Sequence, residues 1–153
     1  MTKEFVVSVV SLFAWRESAL LAPGSRPAMI GIVHCLANRV LAGMWGSDWL
    51  LILRHSREVS SHDLEPGNDY PDLWNPDWRW LTEQVGKIYD NRRPDDVTCS
   101  ADMMQAGFPG GNRPGLFYAN LQLPLRAWFQ EKIVSDPENH PRTAECQPLV
   151  FFG

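Results

Sequence analysis

Glu17 is the first residue whose type and setting fit acid–base chemistry. Three apolar residues precede it on one face of a predicted helix, at helical spacings of four and three residues: Val6, Val10 and Phe13. A carboxylic acid that ends an apolar face is partly desolvated, which favours the protonated form that a general acid requires. Glu17 is therefore the candidate catalytic residue. The structural alternative is a solvated glutamate, or one paired with Arg16 or Arg39.

Further polar residues could contact a ligand beside Glu17. Asn38, near the end of the second predicted helix, could orient the glutamate or bind a polar group of a ligand, and it could equally be structural. Thr98 and Tyr118 could line a groove through their hydroxyl groups, although a tyrosine in a segment such as LFYANL is more often a half-buried sheet residue. Four loop aspartates are candidates for a second carboxylate, and each equally fits a turn: Asp63, Asp69, Asp95 and Asp96.

Composition and spacing disfavour other chemistries. Residues 60–63 hold Ser, His and Asp, but sequence neighbours rarely form a catalytic triad, and the chain has no GxSxG turn. The four histidines and three cysteines lack metal-ligand spacing, and FPGGNRPG is not a nucleotide-binding loop. Fourteen Lys and Arg against 18 Asp and Glu give a net charge of −4, the wrong sign for binding nucleic acid. We therefore expect free thiols and no metal, cofactor or nucleic-acid partner.

The most apolar stretch of the chain is FVVSVVSLFA, residues 5–14. It is about half the length that a membrane-spanning helix needs, so we expect no stable membrane insertion. It also fits the apolar part of a signal peptide, but Glu4 before it and WRES after it are poor flanks. A core helix is the favoured interpretation, and the sequence assigns no compartment.

The elements that must position Glu17 are mostly helices of a single domain of 153 residues. Apolar periodicity and chain breakers predict helices over residues 2–19, from after Ser25 to Gly43, over 49–55 and over 75–91. LFYANL and PLVFFG are predicted to pair as short strands, with LRAWFQEKIV as a possible helix between them. The predicted fold class is mainly α (α+β).

Two long loops, residues 56–74 and 92–115, connect these elements. A small helical core must build its recognition surface from its long connections, so we expect the loops to face each other across Glu17 as the walls of a groove. Trp78 falls on the buried stripe of the fourth helix, whereas Trp74 or Trp80 could face a sugar.

Five motifs follow one another along the chain: AWRES, AMIGIVHCLANRVLAG, WRWLTEQVGKIYDNRRPDDVTCSA, LFYAN and PLVFFG. In the order of these motifs, the chain resembles the SleB-like, spore-cortex-lytic cell-wall hydrolases, relatives of the lytic transglycosylases with a lysozyme-like fold. AWRES and the helix AMIGIVHCLANRVLAG are similar to the family's catalytic Glu and its Ala/Val-rich helix ending in Asn-Arg-Val. WRWLTEQVGKIYDNRRPDDVTCSA resembles the family's next helix and its Asp-Pro-Thr-Gly-Gly-Ala loop, with Asp96, Thr98 and Ala101 in the corresponding places. LFYAN and PLVFFG resemble its Tyr-rich strand and its aromatic C-terminal strand.

The resemblance implies cleavage of peptidoglycan glycan strands, by transglycosylation or by hydrolysis. The implied site has Glu17 as the catalytic acid and a set of substrate-binding residues: Ser18, Asn38, Asp96, Thr98 and Tyr118. Glu17 would protonate the glycosidic oxygen and then act as a base on the muramyl 6-hydroxyl, which needs no second carboxylate.

The sequence also departs from the family pattern. Residues 20–24, LLAPG, stand where a second Glu is usual, and Cys99-Ser100 replace the later Gly-Gly. These departures leave Glu17 in place and fit two interpretations: a divergent, phage-encoded enzyme, or the alternative of a non-catalytic virion structural or wall-binding protein of the same fold. Its partners would be peptidoglycan or virion and tail proteins. An inhibitor-type protein would instead present a rigid acidic surface with no groove at Glu17.

Overall fold

The computed structural model describes residues 2–60, 71–98 and 104–153. Its elements, in chain order, are α1 (Lys3–Leu21), α2 (Arg26–Ala42), α3 (Trp49–Ser60), α4 (Pro76–Tyr89), β1 (Phe117–Ala119), α5 (Ala127–Phe129), a π-helical turn (Gln130–Val134), β2 (Arg142–Cys146) and β3 (Leu149–Phe152). The predicted class, a mainly helical α+β fold, is confirmed. Within the described ranges, no helix is both long enough and apolar enough to cross a membrane.

The helices begin at capping residues that the sequence provides. The side chains of Thr2, Ser25 and Asn75 accept hydrogen bonds from backbone N–H groups in the first turns of α1, α2 and α4. Asp48 does the same for α3, where the backbone N–H of Leu50 donates to Oδ1 at 2.7 Å. These caps fix where each helix enters the core.

Helix α2 lies at the centre of the domain, in contact with α1, α3, α4, β1 and β2. It is buried almost continuously from Ala28 to Arg39, so it lacks the solvent-facing stripe of an ordinary surface helix. Where α2 crosses the sheet, a Cβ atom at Gly31 would lie 2.6 Å from Cζ of Phe151. This close approach of helix and sheet requires glycine at that position.

The three strands form an antiparallel sheet in the order β1-β3-β2. Strand β3 is buried on both faces. Leu149 and Phe151 pack in the helical core. Val150 and Phe152 pack in a second cluster on the opposite face, as the two-residue period of a strand dictates. Tyr118 of β1 lies directly opposite Phe151, so it shares the face that is turned towards the helices.

The predicted pairing of LFYANL with PLVFFG is confirmed as β1 with β3, and the helix between them is short. The sequence does not predict β2, because RTAEC mixes charged and small residues without apolar alternation. The prediction that α3 ends at residue 55 is wrong. The following SREVS segment is polar and carries no apolar period, yet it continues the helix to Ser60. The predicted loop 56–74 is therefore helical at its start, and its residues 61–70 lie outside the described ranges.

Candidate active site

Glu17 lies near the C-terminal end of α1 and is 6% exposed. The apolar residues that precede it on the same face, Val10 and Phe13 among them, pack in the helical core. Because Glu17 follows these residues at the helical period, its carboxylate lies where α1 meets β1. There the phenol of Tyr118 donates a hydrogen bond to Oε1 of Glu17 at 2.9 Å.

Tyr118 is a fixed hydrogen-bond donor in this contact. Burial raises the pKa of its phenol well above the usual value, and the negative charge of Glu17 acts in the same direction. The guanidinium of Arg39, whose Cζ lies 5.9 Å from the centre of the tyrosine ring, acts in the opposite direction. The phenol therefore keeps its proton at neutral pH and holds one oxygen of the carboxyl group in a defined orientation.

Glu17 and Tyr118 border a cleft of about 380 Å³, a volume within the range of small-molecule binding sites. The apolar part of its lining comes from the end of α1, from Trp45, from β1 and from the segment 123–129. The polar lining residues are Glu17, Arg39, Ser56, Tyr118, Asn120 and Arg126. Large apolar walls with a few polar groups fit a ligand that has an apolar face and a polar edge.

Arg39 is a site residue whose place in the cleft the sequence does not predict. It is 8% exposed, and its Nε donates to the carbonyl oxygen of Leu116 at 2.7 Å, while its Nη1 donates to Oγ of Ser56 at 2.8 Å. Its guanidinium also lies near the aromatic rings of Trp45 and Phe117. Arg39 thus joins α2, α3 and the start of β1 beneath the cleft.

The walls of the cleft are not the two that the sequence predicts. In the described parts of loop 92–115, which are 92–98 and 104–115, no residue lines the cleft. The opposite wall comes instead from residues 123–126, Trp128 and Phe129. Of the first predicted loop, Ser56 does line the cleft, but it belongs to α3. For the described parts of the second loop, the prediction of a wall is wrong, because β1 and the segment after it occupy that side.

Ser18 and Asn38 are close to Glu17 in the fold, but their side chains have structural partners. Ser18 is buried, and its hydroxyl donates to the carbonyl oxygen of Trp15 one turn earlier in α1, at 3.1 Å. Asn38 is also buried, and its Nδ2 donates to the carbonyl oxygen of Gly115 at 3.2 Å. Neither residue lines the cleft. Asn38 ties α2 to the chain just before β1, so it supports the strand that carries Tyr118.

Asp96 and Thr98 lie away from the cleft. The hydroxyl of Thr98 donates to Oδ2 of Asp95 at 2.6 Å, within a local turn. Asp96 accepts a hydrogen bond at 2.7 Å from Nη1 of Arg93, which also lies 2.9 Å from Nε2 of His34. We call His34, Arg93 and Asp96 the His34 cluster. Neither side chain belongs to the lining of the cleft, and both make hydrogen bonds within this turn and cluster.

Trp74 and Trp80 line a separate shallow depression at the start of α4. The guanidinium of Arg79 lies over Trp74, at 5.7 Å from the ring centre, and that of Arg26 lies over Trp80 at 4.9 Å. Neither tryptophan lines the Glu17 cleft. Trp78 is buried in the helical core, as predicted, where its ring meets Trp15 edge to face.

Among the described residues that line the cleft, Glu17 is the only acid. Asp63 and Asp69, predicted as candidates for a second carboxylate, lie outside the described ranges. No group of three or more His, Cys, Asp and Glu side chains within residues 2–60, 71–98 and 104–153 is arranged to hold a metal ion. Cys35 and Cys146 are free, and burial raises the pKa of each thiol to about 11, so both stay protonated.

Comparisons of the chain with protein-family models, with curated proteins and with solved structures found no match.

Proposed function

We propose that the protein cleaves the glycan strands of peptidoglycan, with Glu17 as the general acid. The observation that carries this proposal is a buried carboxyl group in the wall of a cleft, held at one oxygen by a phenol at 2.9 Å. A general acid must be within hydrogen-bond reach of the oxygen it protonates, and a fixed orientation meets that need.

The lining of the cleft supports a mechanism with one carboxylate. Retaining and inverting hydrolases use a pair of acids, whereas an attacking hydroxyl within the same sugar removes the need for the second. Glu17 is the only acid among the described lining residues. This supports transglycosylation. In that reaction Glu17 first protonates the glycosidic oxygen as its bond to C1 of the muramyl sugar breaks. Glu17 then accepts the proton of the 6-hydroxyl of the same sugar as the 6-oxygen bonds to C1.

Purified peptidoglycan is the substrate that tests the proposal. Glu17→Gln keeps the shape of the side chain and removes its transferable proton, so we expect lysis to fall by about 10²–10⁴-fold. Thermal stability should stay equal or rise slightly, because a buried carboxyl group is retained at some cost in stability. Glu4→Gln is the matched control, since it makes the same change on an exposed residue of the same helix.

Mass spectrometry of the digest separates the two mechanisms. Anhydromuramyl ends indicate transglycosylation, and reducing muramic ends indicate hydrolysis. Full activity of Glu17→Gln would contradict the assignment of the catalytic acid.

The second candidate is a wall-binding protein of this architecture that does not turn over its ligand. It is favoured by the fact that only Glu17 and Tyr118, of the six site residues predicted from the sequence, line the cleft. This candidate predicts that the wild-type protein cosediments with peptidoglycan and leaves the muropeptide pattern unchanged at high protein concentration.

A further inference from the structure

Trp128 is the one tryptophan that lies on the wall of the cleft formed by residues 123–129. Its side chain is not part of either apolar cluster, and the residue is 39% exposed. Trp45, the other tryptophan in the lining, is covered on its ring by His55 at 5.3 Å and by Arg39. Trp128 therefore offers the larger accessible aromatic surface to the cleft.

The indole of Trp128 packs against a buried neighbouring ring, Phe129. Its neighbour Phe129 is buried in the second cluster, where its ring meets Phe152 of β3 edge to face at 6.0 Å. Trp128 meets Phe129 edge to face at 5.5 Å. Successive residues of a helix point about 100° apart, so burial of Phe129 directs Trp128 to a different side. The indole is thus braced against the sheet through one intervening ring.

The backbone after Trp128 is also unusual. Residues Gln130–Val134 form a π-helical turn directly after the three-residue α5. Single π-helical turns are rare and are found frequently at functional sites. The turn lets Ile133 pack in the second cluster with Phe129, which anchors the segment that carries the indole.

The polar groups of the cleft select the kind of ligand that would lie on this ring. A purely apolar ligand would strip water from Glu17, Arg39 and Arg126 without replacing the lost hydrogen bonds. A pyranose ring has an apolar face of C–H groups and an edge of hydroxyl groups, so it suits both the indole and the polar lining.

We propose that Trp128 is the platform on which a pyranose ring of the saccharide stacks in the Glu17 cleft. The proposal rests on the proposed function for the identity of the ligand as a glycan. Trp128 is a binding residue here, and Glu17 remains the acid on another part of the lining. The indole of Trp128 selects the sugar unit that is bound. The carboxyl group of Glu17 then acts on the glycosidic bond next to that sugar unit.

Binding is measured in the Glu17→Gln background, so that the ligand is not consumed. The probe is a soluble oligomer of N-acetylglucosamine, titrated by calorimetry. We expect Trp128→Ala to weaken binding by about tenfold or more, as expected for loss of a stacked ring, and Trp128→Phe to retain part of the affinity. Trp74→Ala is the matched control, because Trp74 is exposed and lines only the separate depression at α4.

Three results would overturn the platform: no binding of the oligomer, unchanged binding by Trp128→Ala, or a selective loss with Trp74→Ala. Thermal unfolding of each variant shows whether the fold is intact, and Trp128→Phe keeps the test valid if Trp128→Ala does not fold. The two proposals fail separately. If Trp128→Ala leaves the rate of lysis unchanged, only the platform is contradicted. If Trp128→Ala weakens binding but the wild-type protein shows no lysis, only the catalytic proposal is contradicted.

Discussion

Two polar clusters are attached to successive turns of α2, and they differ in burial and in what lies beside them. The Glu17 cluster, formed by Glu17, Tyr118 and Arg39, has a buried acid and a buried arginine and borders the cleft. The His34 cluster joins α2 to the segment after α4, its Asp96 side chain is 45% exposed, and it contributes no residue to the cleft. Both contain an arginine and a carboxylate. An arginine with a carboxylate therefore does not by itself mark a functional site, and the burial of the charges beside open space distinguishes the Glu17 cluster.

Arg39→Met should have the largest effect on stability and should damage the Glu17 cluster. The change removes two charged hydrogen bonds, and it leaves the carbonyl oxygen of Leu116 and the hydroxyl of Ser56 without their donor. We expect a loss of about 3 kcal/mol in the free energy of unfolding, measured by denaturant titration. Arg26→Met is the control, because its pair with Asp77 is exposed and should be worth less than about 1 kcal/mol. Equal losses in both variants would contradict the role of Arg39.

Arg93→Met should destabilise the fold by about 1–2 kcal/mol and leave lysis within about twofold of wild type. Most of the loss comes from the partly buried contacts of Arg93 with Gln84 and His34, since solvent screens its pair with Asp96. Lysis is compared at a temperature where both proteins are fully folded. A large loss of lysis there would show that the His34 cluster acts on the cleft, and the contrast between the clusters would fail.

Tyr118→Phe should lower the rate of lysis by about tenfold, which corresponds to the loss of one hydrogen bond to the reacting carboxyl group. The ring and its packing on Phe151 are kept, so the fold should be maintained. Tyr89→Phe is the control, because that tyrosine packs against Trp49 and does not line the cleft. An unchanged rate in Tyr118→Phe would mean that the phenol is only structural.

The smallest effect is a pH dependence at His34. A guanidinium can only donate, so Nε2 of His34 accepts from Arg93 and the ring is neutral. Burial lowers the pKa of His34 from 6.5, and the charge of Arg93 adds to this against the opposing charges of Asp95 and Asp96. The unfolded chain therefore binds the proton more readily, and stability falls as the pH drops below about 6.5.

His34→Gln keeps an acceptor for Arg93 and cannot take up the proton. We expect its melting temperature to fall less than that of wild type between pH 7 and pH 5, with His55→Gln as the control. Parallel curves for wild type and His34→Gln would contradict the assignment.

Local patterns in the sequence predict the parts of the site that depend on neighbours in the chain. Helical spacing places Glu17 at the end of a buried face, and strand character places Tyr118 on a sheet facing the helices. The contribution of Arg39 depends on a contact with Leu116, 77 residues away, which no local spacing encodes. The place of Trp128 at the cleft likewise depends on the contact of Phe129 with Phe152 of β3, 23 residues further along the chain.

For Asp96 and Thr98, the sequence predicts a binding role, whereas the fold gives both residues local hydrogen bonds. Short polar residues in a loop fit a binding role and a turn equally well in sequence, because the same oxygen atoms serve both. Here Asp95 accepts hydrogen bonds from the backbone N–H groups of Val97 and Thr98, and the turn uses these groups internally. Only the folded arrangement separates the two roles.

The position of β3 has a consequence for how the cleft can open. β3 is hydrogen-bonded along both edges and covered on both faces, so its amide protons should exchange with deuterium only when the whole domain unfolds. β1 has β3 as its one neighbouring strand among the described residues, and it carries Tyr118 at the cleft. Local opening beside Glu17 should therefore begin at β1, whose amide protons we expect to exchange before those of β3.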